Sequence, residues 1–243
     1  MNTAPTKAMI LAAGRGERMR PLTDECPKPL LAVRGRPLLE WHLQALSTGG
    51  FNDIVINTAW LGAQIEARYG ERPRLDGGAT PRIHYSHEGR DFGGALETAG
   101  GVARVLPWLC GQGQSVFWVL AGDVYAPDFR FTADAVERFI AGGKSAHLWL
   151  VPNPPHNPRG DFGLADGLAR NAGTPERHTF STIALYHRRF FAGLPEGNPE
   201  GVKAPLAPLL RAAIDNGEVS AELYSGAWTD VGTPERLAQL NAL

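Results

Sequence analysis

Apolar residues in the first 125 positions gather alternately into short continuous runs and into helical spacing. AMILAA (8–13), DIVINT (53–58), RIHYS (82–86) and the SVFWVLA stretch ending at Ala121 are runs of strand type. Between the first two, Leu39, Leu43 and Leu46 recur at helical intervals, with Pro37 fit for a first turn and Gly49-Gly50 as a stop. Leu61, Ile65 and Tyr69 share one face of a second helix. The rhythm β-α-β-α-β predicts a parallel sheet with helices on both faces. Val116 to Leu120 is wholly apolar, as a strand buried on both faces requires, and Asp123 follows its C-terminal end.

The second half is less regular. AHLWLVPNP (146–154) and TFSTIALYH (179–187) read as strands and PLAPLLRAAIDNG (205–217) as a helix. The stretch between those strands is rich in Pro, Gly and Asn, which predicts loop and hairpin. Thr233 is placed to cap a terminal helix that Pro234 opens. The expectation is one doubly wound α/β domain over residues 1–243, with a mostly parallel sheet and ligands at the C-terminal ends of its strands.

Charge changes this picture little. With 24 basic and 25 acidic residues the net charge is −1, so no bulk field draws the chain to nucleic acid or an anionic membrane. Any anion site must be local. No stretch approaches the roughly 18 consecutive apolar residues of a membrane span, and the N-terminus runs into a strand pattern without a signal segment. Cys26 and Cys110 show neither metal nor redox spacing. These features predict a cytoplasmic protein; a monomer is compatible, but oligomeric state is not legible.

The local anion site is suggested by LAAGRGERMRPLTDECPKPLL (11–31). A dinucleotide fingerprint would need a third glycine where Met19 stands and an acidic residue where the second strand ends in Asn57-Thr58. A phosphate loop of the Gly-Lys-Ser/Thr kind is absent. What remains is a compact turn whose backbone N–H groups can form an anion nest, carrying Arg15, Arg18 and Arg20. A solvated glycine turn with surface arginines is the alternative. Lys28, stiffened between Pro27 and Pro29, adds a point charge suited to phosphate, and together they look like half of a triphosphate clamp.

That segment, with LETAGGV (96–102), LAGDVY (120–125), RGDFGL (159–164) and WTDVGT (228–233), resembles the sugar-1-phosphate nucleotidylyltransferases over nearly the whole chain. INTAWLGAQIE, NPPHNPRGDFGL and KAPLAPLLRAA resemble the branch that joins UTP to N-acetylmuramate 1-phosphate in peptidoglycan recycling. The resemblance implies a Rossmann-like, GT-A-like fold, UTP and a sugar 1-phosphate as partners, and Mg²⁺ as cofactor. Residues 1–125 would mainly bind nucleotide and 126–243 mainly sugar. Arg18 and Lys28 would act on the triphosphate as the catalytic cations. Ala12, Ala13, Gly14, Gly16 and Glu17, with Glu97 and Thr98, would complete the nucleotide site, and Asp123 and Asp230 would hold the metal. Asn153 and Asp161 match sugar-binding positions, although both residue types are ordinary in loops.

Two departures stand out. Many relatives carry a Glu-Lys-Pro segment whose lysine meets the sugar phosphate, and none lies between Gly163 and Tyr186. Lys203 is the preferred substitute, with Arg159 and Arg211 as the other candidate cations. Ala121 stands where Asn is common. The chemistry itself asks little of the protein, because the attacking phosphate oxygen is already ionised and no histidine is needed as base. Enzymes for glucose 1-phosphate, mannose 1-phosphate or phosphocholine, and a non-catalytic nucleotide-sugar sensor, remain as alternatives.

Overall fold

The computed structural model describes residues 6–242, the side chain of Gln112 aside. From the N-terminal side, β1 (Lys7–Leu11) leads through a glycine turn and the short α1 (Leu22–Glu25) to a small ladder of β2 (Ala32–Val33) and β3 (Arg36–Pro37). There follow α2 (Leu38–Thr48), β4 (Asp53–Thr58), α3 (Gly62–Tyr69), β5 (Arg82–His87), α4 (Glu88–Phe92), α5 (Glu97–Leu109) and β6 (Val116–Ala121). β1 pairs in parallel with β4 on one side and β6 on the other, and β4 with β5. The strand order β5-β4-β1-β6 therefore reverses direction at β1. In such a sheet the crevice between the loops leaving β1 and β6 is where ligands bind.

The chain continues with β7 (Val124–Tyr125), α6 (Ala133–Gly142), β8 (Ala146–Val151), β9 (Phe162–Ala165), β10 (Leu168–Arg170) and β11 (Arg177–His187). It closes with α7 (Leu206–Asp215), β12 (Val219–Leu223), β13 (Thr229–Asp230) and α8 (Pro234–Ala242). The main sheet has nine strands in the order β5-β4-β1-β6-β11-β8-β12-β10-β9. The doubly wound α/β reading stands, but "mostly parallel" describes only the first half. β11 lies antiparallel to both β6 and β8, so the sheet is mixed. The reason is the connection. A parallel return needs a crossover, usually helical, whereas residues 152–176 contribute the β9–β10 hairpin to the far edge of the same sheet.

Alternate residues of the central strands feed two cores, as the two-residue period of a strand demands. Ala8, Ile10, Trp118 and Leu120 face α2 and an aromatic group of Phe51, Phe129, Phe131 and Trp149. Met9, Phe117 and Val119 face Val102, Leu106 and Leu109 of α5 together with Tyr186 and Phe191. Full burial of each Val, Leu, Ile, Phe or Met among them contributes about 1.5–3 kcal/mol. A third cluster seats α8, through Leu237 and Leu240, against Met19, Val33 and Tyr125. It ties the end of the chain to the glycine turn.

Candidate active site

At the C-terminal ends of β1 and β6 lies a cleft of about 500 Å³. Gly122 continues the β1–β6 pairing by donating its N–H to Leu11 O at 2.8 Å, which sets the turn after β1 beside Asp123. Within that turn Gly16 takes a left-handed backbone at φ 69°, and a Cβ there would stand 3.1 Å from the Thr23 methyl. Thr23 Oγ1 in turn donates to Gly16 O at 2.8 Å.

The arginines of the turn separate into two kinds. Arg15 donates to Thr23 O and Asp24, both at 2.8 Å, and its guanidinium lies 3.8 Å from the centroid of the Trp60 ring. Arg20 pairs with the same Asp24 at 2.9 Å. The Arg15 hydrogen bond is the main cause holding the Asp24 carboxyl below its usual range. Arg18 is exposed, lines the cleft and has no ion-pair or hydrogen-bond partner among the described residues. Of the three arginines it is the one whose guanidinium the turn itself does not engage.

Lys28 has its side chain 10% exposed and forms an ion pair with Asp123, whose side chain is 38% exposed toward the cleft. Ala12, Ala13, Gly14, Gly16, Glu17 and Arg18 line the same cleft, and Glu97 and Thr98 line it from the start of α5. The structure thus brings together the residues assigned to the nucleotide. Asn57 and Glu88 also line it, and sequence reasoning did not single them out. Asn57 had one signal, a polar residue ending an apolar strand; Glu88 had none.

Asp230 is brought near Asp123 through backbone pairing. It stands opposite Val124 in the β13–β7 ladder, and Val231 N–H donates to Asp123 O at 2.9 Å. Its carboxylate pairs with Arg236 and lies 2.8 Å from His156 Nε2. Among the described residues no three His, Cys, Asp or Glu side chains converge into a metal cage. Asp123, in the turn before β7, lines the cleft and Asp230, in β13, does not; hard carboxylates of this kind fit an ion such as Mg²⁺, which usually takes one or two of them and fills its shell with water and phosphate.

The sugar-side candidates lie elsewhere. Asn153 donates to Arg177 O at 2.8 Å and accepts from Thr179 Oγ1 at 3.0 Å; it lines a separate depression with Arg159. Asp161 accepts from Phe180 N–H at 2.8 Å and from Asn157 Nδ2 at 3.2 Å. Arg211 lies over Phe162, away from the cleft. Lys203 is exposed, outside the cleft lining, but its neighbour Ala204 is fastened to the first turn of α5. Ala204 O accepts from Ala99 N–H at 2.9 Å and Gly100 N–H at 3.1 Å, one turn from Glu97.

A family model described as nucleotidyl transferase matches residues 7–170. The N-acetylmuramate alpha-1-phosphate uridylyltransferase of Neisseria meningitidis serogroup B is 49% identical over 98% of this chain and 97% of its own. The protein of the same description from Caulobacter vibrioides is 30% identical over 97% and 95%. In three dimensions, a Bacillus anthracis chain described as a putative glucose-1-phosphate thymidylyltransferase superposes with a TM-score of 0.76 at 20% identity, over 97% of this chain and 94% of its own. The last of these shows the shared fold, and the sequence matches show more: the chain belongs to the nucleotidyl transferase family.

Proposed function

We propose that this chain transfers a uridylyl group from UTP to the phosphate of N-acetylmuramate α-1-phosphate, giving the UDP-sugar and pyrophosphate for re-use of cell-wall sugar. The observation that carries the transfer chemistry is the unpartnered Arg18 facing the cleft beside the Lys28–Asp123 pair. The choice of UTP and N-acetylmuramate is supported by the Neisseria relative, alike over almost its full length.

A phosphate oxygen of the sugar 1-phosphate attacks the α-phosphorus of UTP, and the bond from that phosphorus to the bridging oxygen of pyrophosphate breaks. The sugar phosphate's second pKa is about 6, so the nucleophile is ionised at neutral pH and no proton need be removed. The protein's work is alignment and charge. Ala12, Ala13, Glu97 and Thr98 hold base and ribose; the turn from Gly14 to Arg18 offers backbone N–H groups and one free guanidinium to the phosphates. Lys28, pinned by its prolines and largely desolvated, faces the charge that shifts as pyrophosphate leaves. Asp123 and Asp230 would hold Mg²⁺, which neutralises triphosphate charge when bound. Residues 1–125 serve mainly the nucleotide and 126–243 mainly the sugar, with Lys203 as a cation for the sugar's anionic groups and Asn153 and Asp161 shaping the loop around it. The setting is the cytoplasm, whose reducing conditions suit the free Cys26 and Cys110.

The test is pyrophosphate release from UTP, GTP, CTP and dTTP, each crossed with N-acetylmuramate, N-acetylglucosamine, glucose and mannose 1-phosphates. The highest kcat/KM is expected for UTP with N-acetylmuramate 1-phosphate. Equal or better use of another pair rejects that assignment, and no release from any pair rejects the enzyme reading.

A further inference from the structure

A chain of hydrogen bonds crosses beneath the cleft from one wall to the other. Ala12 N–H donates to Asn57 Oδ1, Asn57 Nδ2 donates to Glu88 Oε1, and Leu96 N–H donates to Glu88 Oε2, each at 2.8 Å. Its ends are the backbone of the turn after β1 and the residue before Glu97. Glu88 is fully buried and Asn57 is 3% exposed. Helix α5 makes room for them at Gly101, where a Cβ would stand 2.6 Å from Glu88 Oε1 and 3.1 Å from Asn57 Nδ2. We propose that Asn57 and Glu88 are positioning residues that fix the gap between the two walls of the nucleotide cleft, and so set the enzyme's affinity for the nucleoside triphosphate. The role rests on the reading of that cleft as the nucleotide site.

The donor and acceptor logic leaves little freedom. A backbone N–H enters at each end, so the two side chains between must accept at both ends. An amide at 57 and a carboxylate at 88 do this, with the amide turned so that its oxygen meets Ala12. An amide at both positions cannot: flipping either one only moves the clash of donor against donor along the chain. Burial pushes the Glu88 carboxyl toward its neutral form, while the bonds from Leu96 and Asn57 and the charge of Arg104 pull it back. A buried carboxylate is a costly way to join two loops, and apolar packing generally serves stability as well. What the carboxylate adds is a fixed distance.

That distance matters at the next residue. Glu97 holds a left-handed backbone, φ 62°, a conformation unfavourable for a residue with a Cβ and kept only where its surroundings over-determine it. Leu96 is the anchor, its N–H held by Glu88 and its carbonyl accepting from Ala204 N–H at 3.1 Å. If Glu88 lets go, Glu97 and Thr98 lose their place relative to Ala12 and Ala13.

The experiment is a polarity exchange in the full-length protein. Glu88→Gln and Asn57→Asp are made singly and together, and UTP affinity is measured by calorimetry alongside KM for both substrates and the melting temperature. Each single change is expected to raise the Kd and KM for UTP by about tenfold or more, leaving the KM for the sugar phosphate within about twofold. The double variant is expected to recover to within about threefold of wild type. In it the carboxylate, now at position 57, accepts from Ala12 N–H and from the amide nitrogen at position 88, and the amide oxygen at position 88 accepts from Leu96 N–H. Single variants that keep wild-type UTP affinity overturn the proposal. So does a double variant that is no better than its parents, or one that fails to fold. If the singles themselves do not fold, recovery in the double still decides the matter. Wild-type protein that binds no nucleoside triphosphate overturns the cleft's assignment and the relay's role with it, whereas normal binding with indifferent variants overturns the relay alone.

Discussion

The turn after β1 and the segment leading to β11 are both polar loops at strand ends, yet they dispose of their polar groups differently. In the first, Arg15 and Arg20 share Asp24, and this holds the turn in shape while Arg18 stays free. In the second, Asn153, Asn157, Asp161 and Thr179 bond to one another and to the backbone of β11. The first loop closes its own structure and leaves a cation over. The second uses its candidate groups to close itself. A binding residue and a fastening residue of the same chemical type are thus told apart by whether the protein already satisfies them.

The largest effect that sharpens this contrast lies in the Lys28–Asp123 pair. Lys28→Met, which keeps length and removes charge, is expected to lower kcat by about 10²–10³-fold in a pyrophosphate-release assay. Asp123→Ala is expected to abolish detectable turnover; near-normal rates in either variant would break the assignment of that wall. Next come the neighbouring arginines. Arg18→Ala is expected to reduce kcat/KM for UTP by about 10–100-fold with an unchanged melting temperature, since nothing among the described residues bonds to it. Arg15→Ala is expected to do the reverse, lowering the melting temperature by about 2–4 °C through loss of its hydrogen bonds and the Trp60 contact, with the smaller effect on UTP.

Acid offers a test through the support of this wall. His42 Nε2 lies 2.8 Å from Val124 O, and because that carbonyl only accepts, the ring nitrogen donates and must carry its proton there. Burial pushes the His42 pKa down from 6.5 to about 4, against the opposing pull of that bond and of Asp123. The unfolded chain therefore binds the extra proton first as pH falls. Stability is unaffected by this group above about pH 6.5 and declines between there and about pH 4. At pH 5.5 the loss is about 1 kcal/mol relative to pH 7.5, and a His42→Gln variant followed by denaturant titration should lack it.

On the other loop, Asp161→Asn turns an amide donor toward a donor, either Phe180 N–H or Asn157 Nδ2. A stability loss of about 1 kcal/mol is expected with KM for UTP unchanged; a large rise in KM for the sugar phosphate beyond that loss would make Asp161 a ligand as well as a fastener. Lys203→Ala gives the smallest effect, a fall of about three- to tenfold in the preference for N-acetylmuramate over N-acetylglucosamine 1-phosphate in a competition assay, without loss of stability. An unchanged preference removes Lys203 from the sugar site.

What is legible in the sequence follows the range of the interactions involved. β4 keeps its expected bounds, Asp53–Thr58, and α2 ends at the expected Gly49, because strand runs and helical spacing are local patterns. α6 has local signals too: Thr132 Oγ1 accepts from Ala135 N–H and Gly143 ends the helix in a left-handed turn, yet the apolar runs on either side draw the eye past it. β12 escapes pattern reading because VSAEL is short and carries Ser and Glu on its open face. The direction of β11 is a long-range property that no periodicity records. In the site, the glycine turn and Lys28 are visible as one contiguous stretch, but the sharing of Asp24 by Arg15 and Arg20, which singles out Arg18, needs coordinates. Asn57 and Glu88 are 31 positions apart and meet only because β4 and β5 pair in parallel, with Thr58 opposite His87.

The antiparallel seating of β11 against β6 bears on how far the two halves can be separated. β6 joins β1 on one edge and β11 on the other, and its residues Val116 to Leu120 are all buried. A fragment ending at Tyr125 would keep the Arg18 turn, Lys28, Asp123 and the start of α5, but would leave the backbone of Val116–Leu120 unpaired along one side. An apolar strand with an open edge is a template for pairing with other copies of itself. It would also lose the Tyr186 and Phe191 rings that cover Phe117. The first half of the chain is therefore no excisable module: its soluble existence depends on the second half lying down beside it, and a fragment cut at Tyr125 would aggregate before it could be assayed.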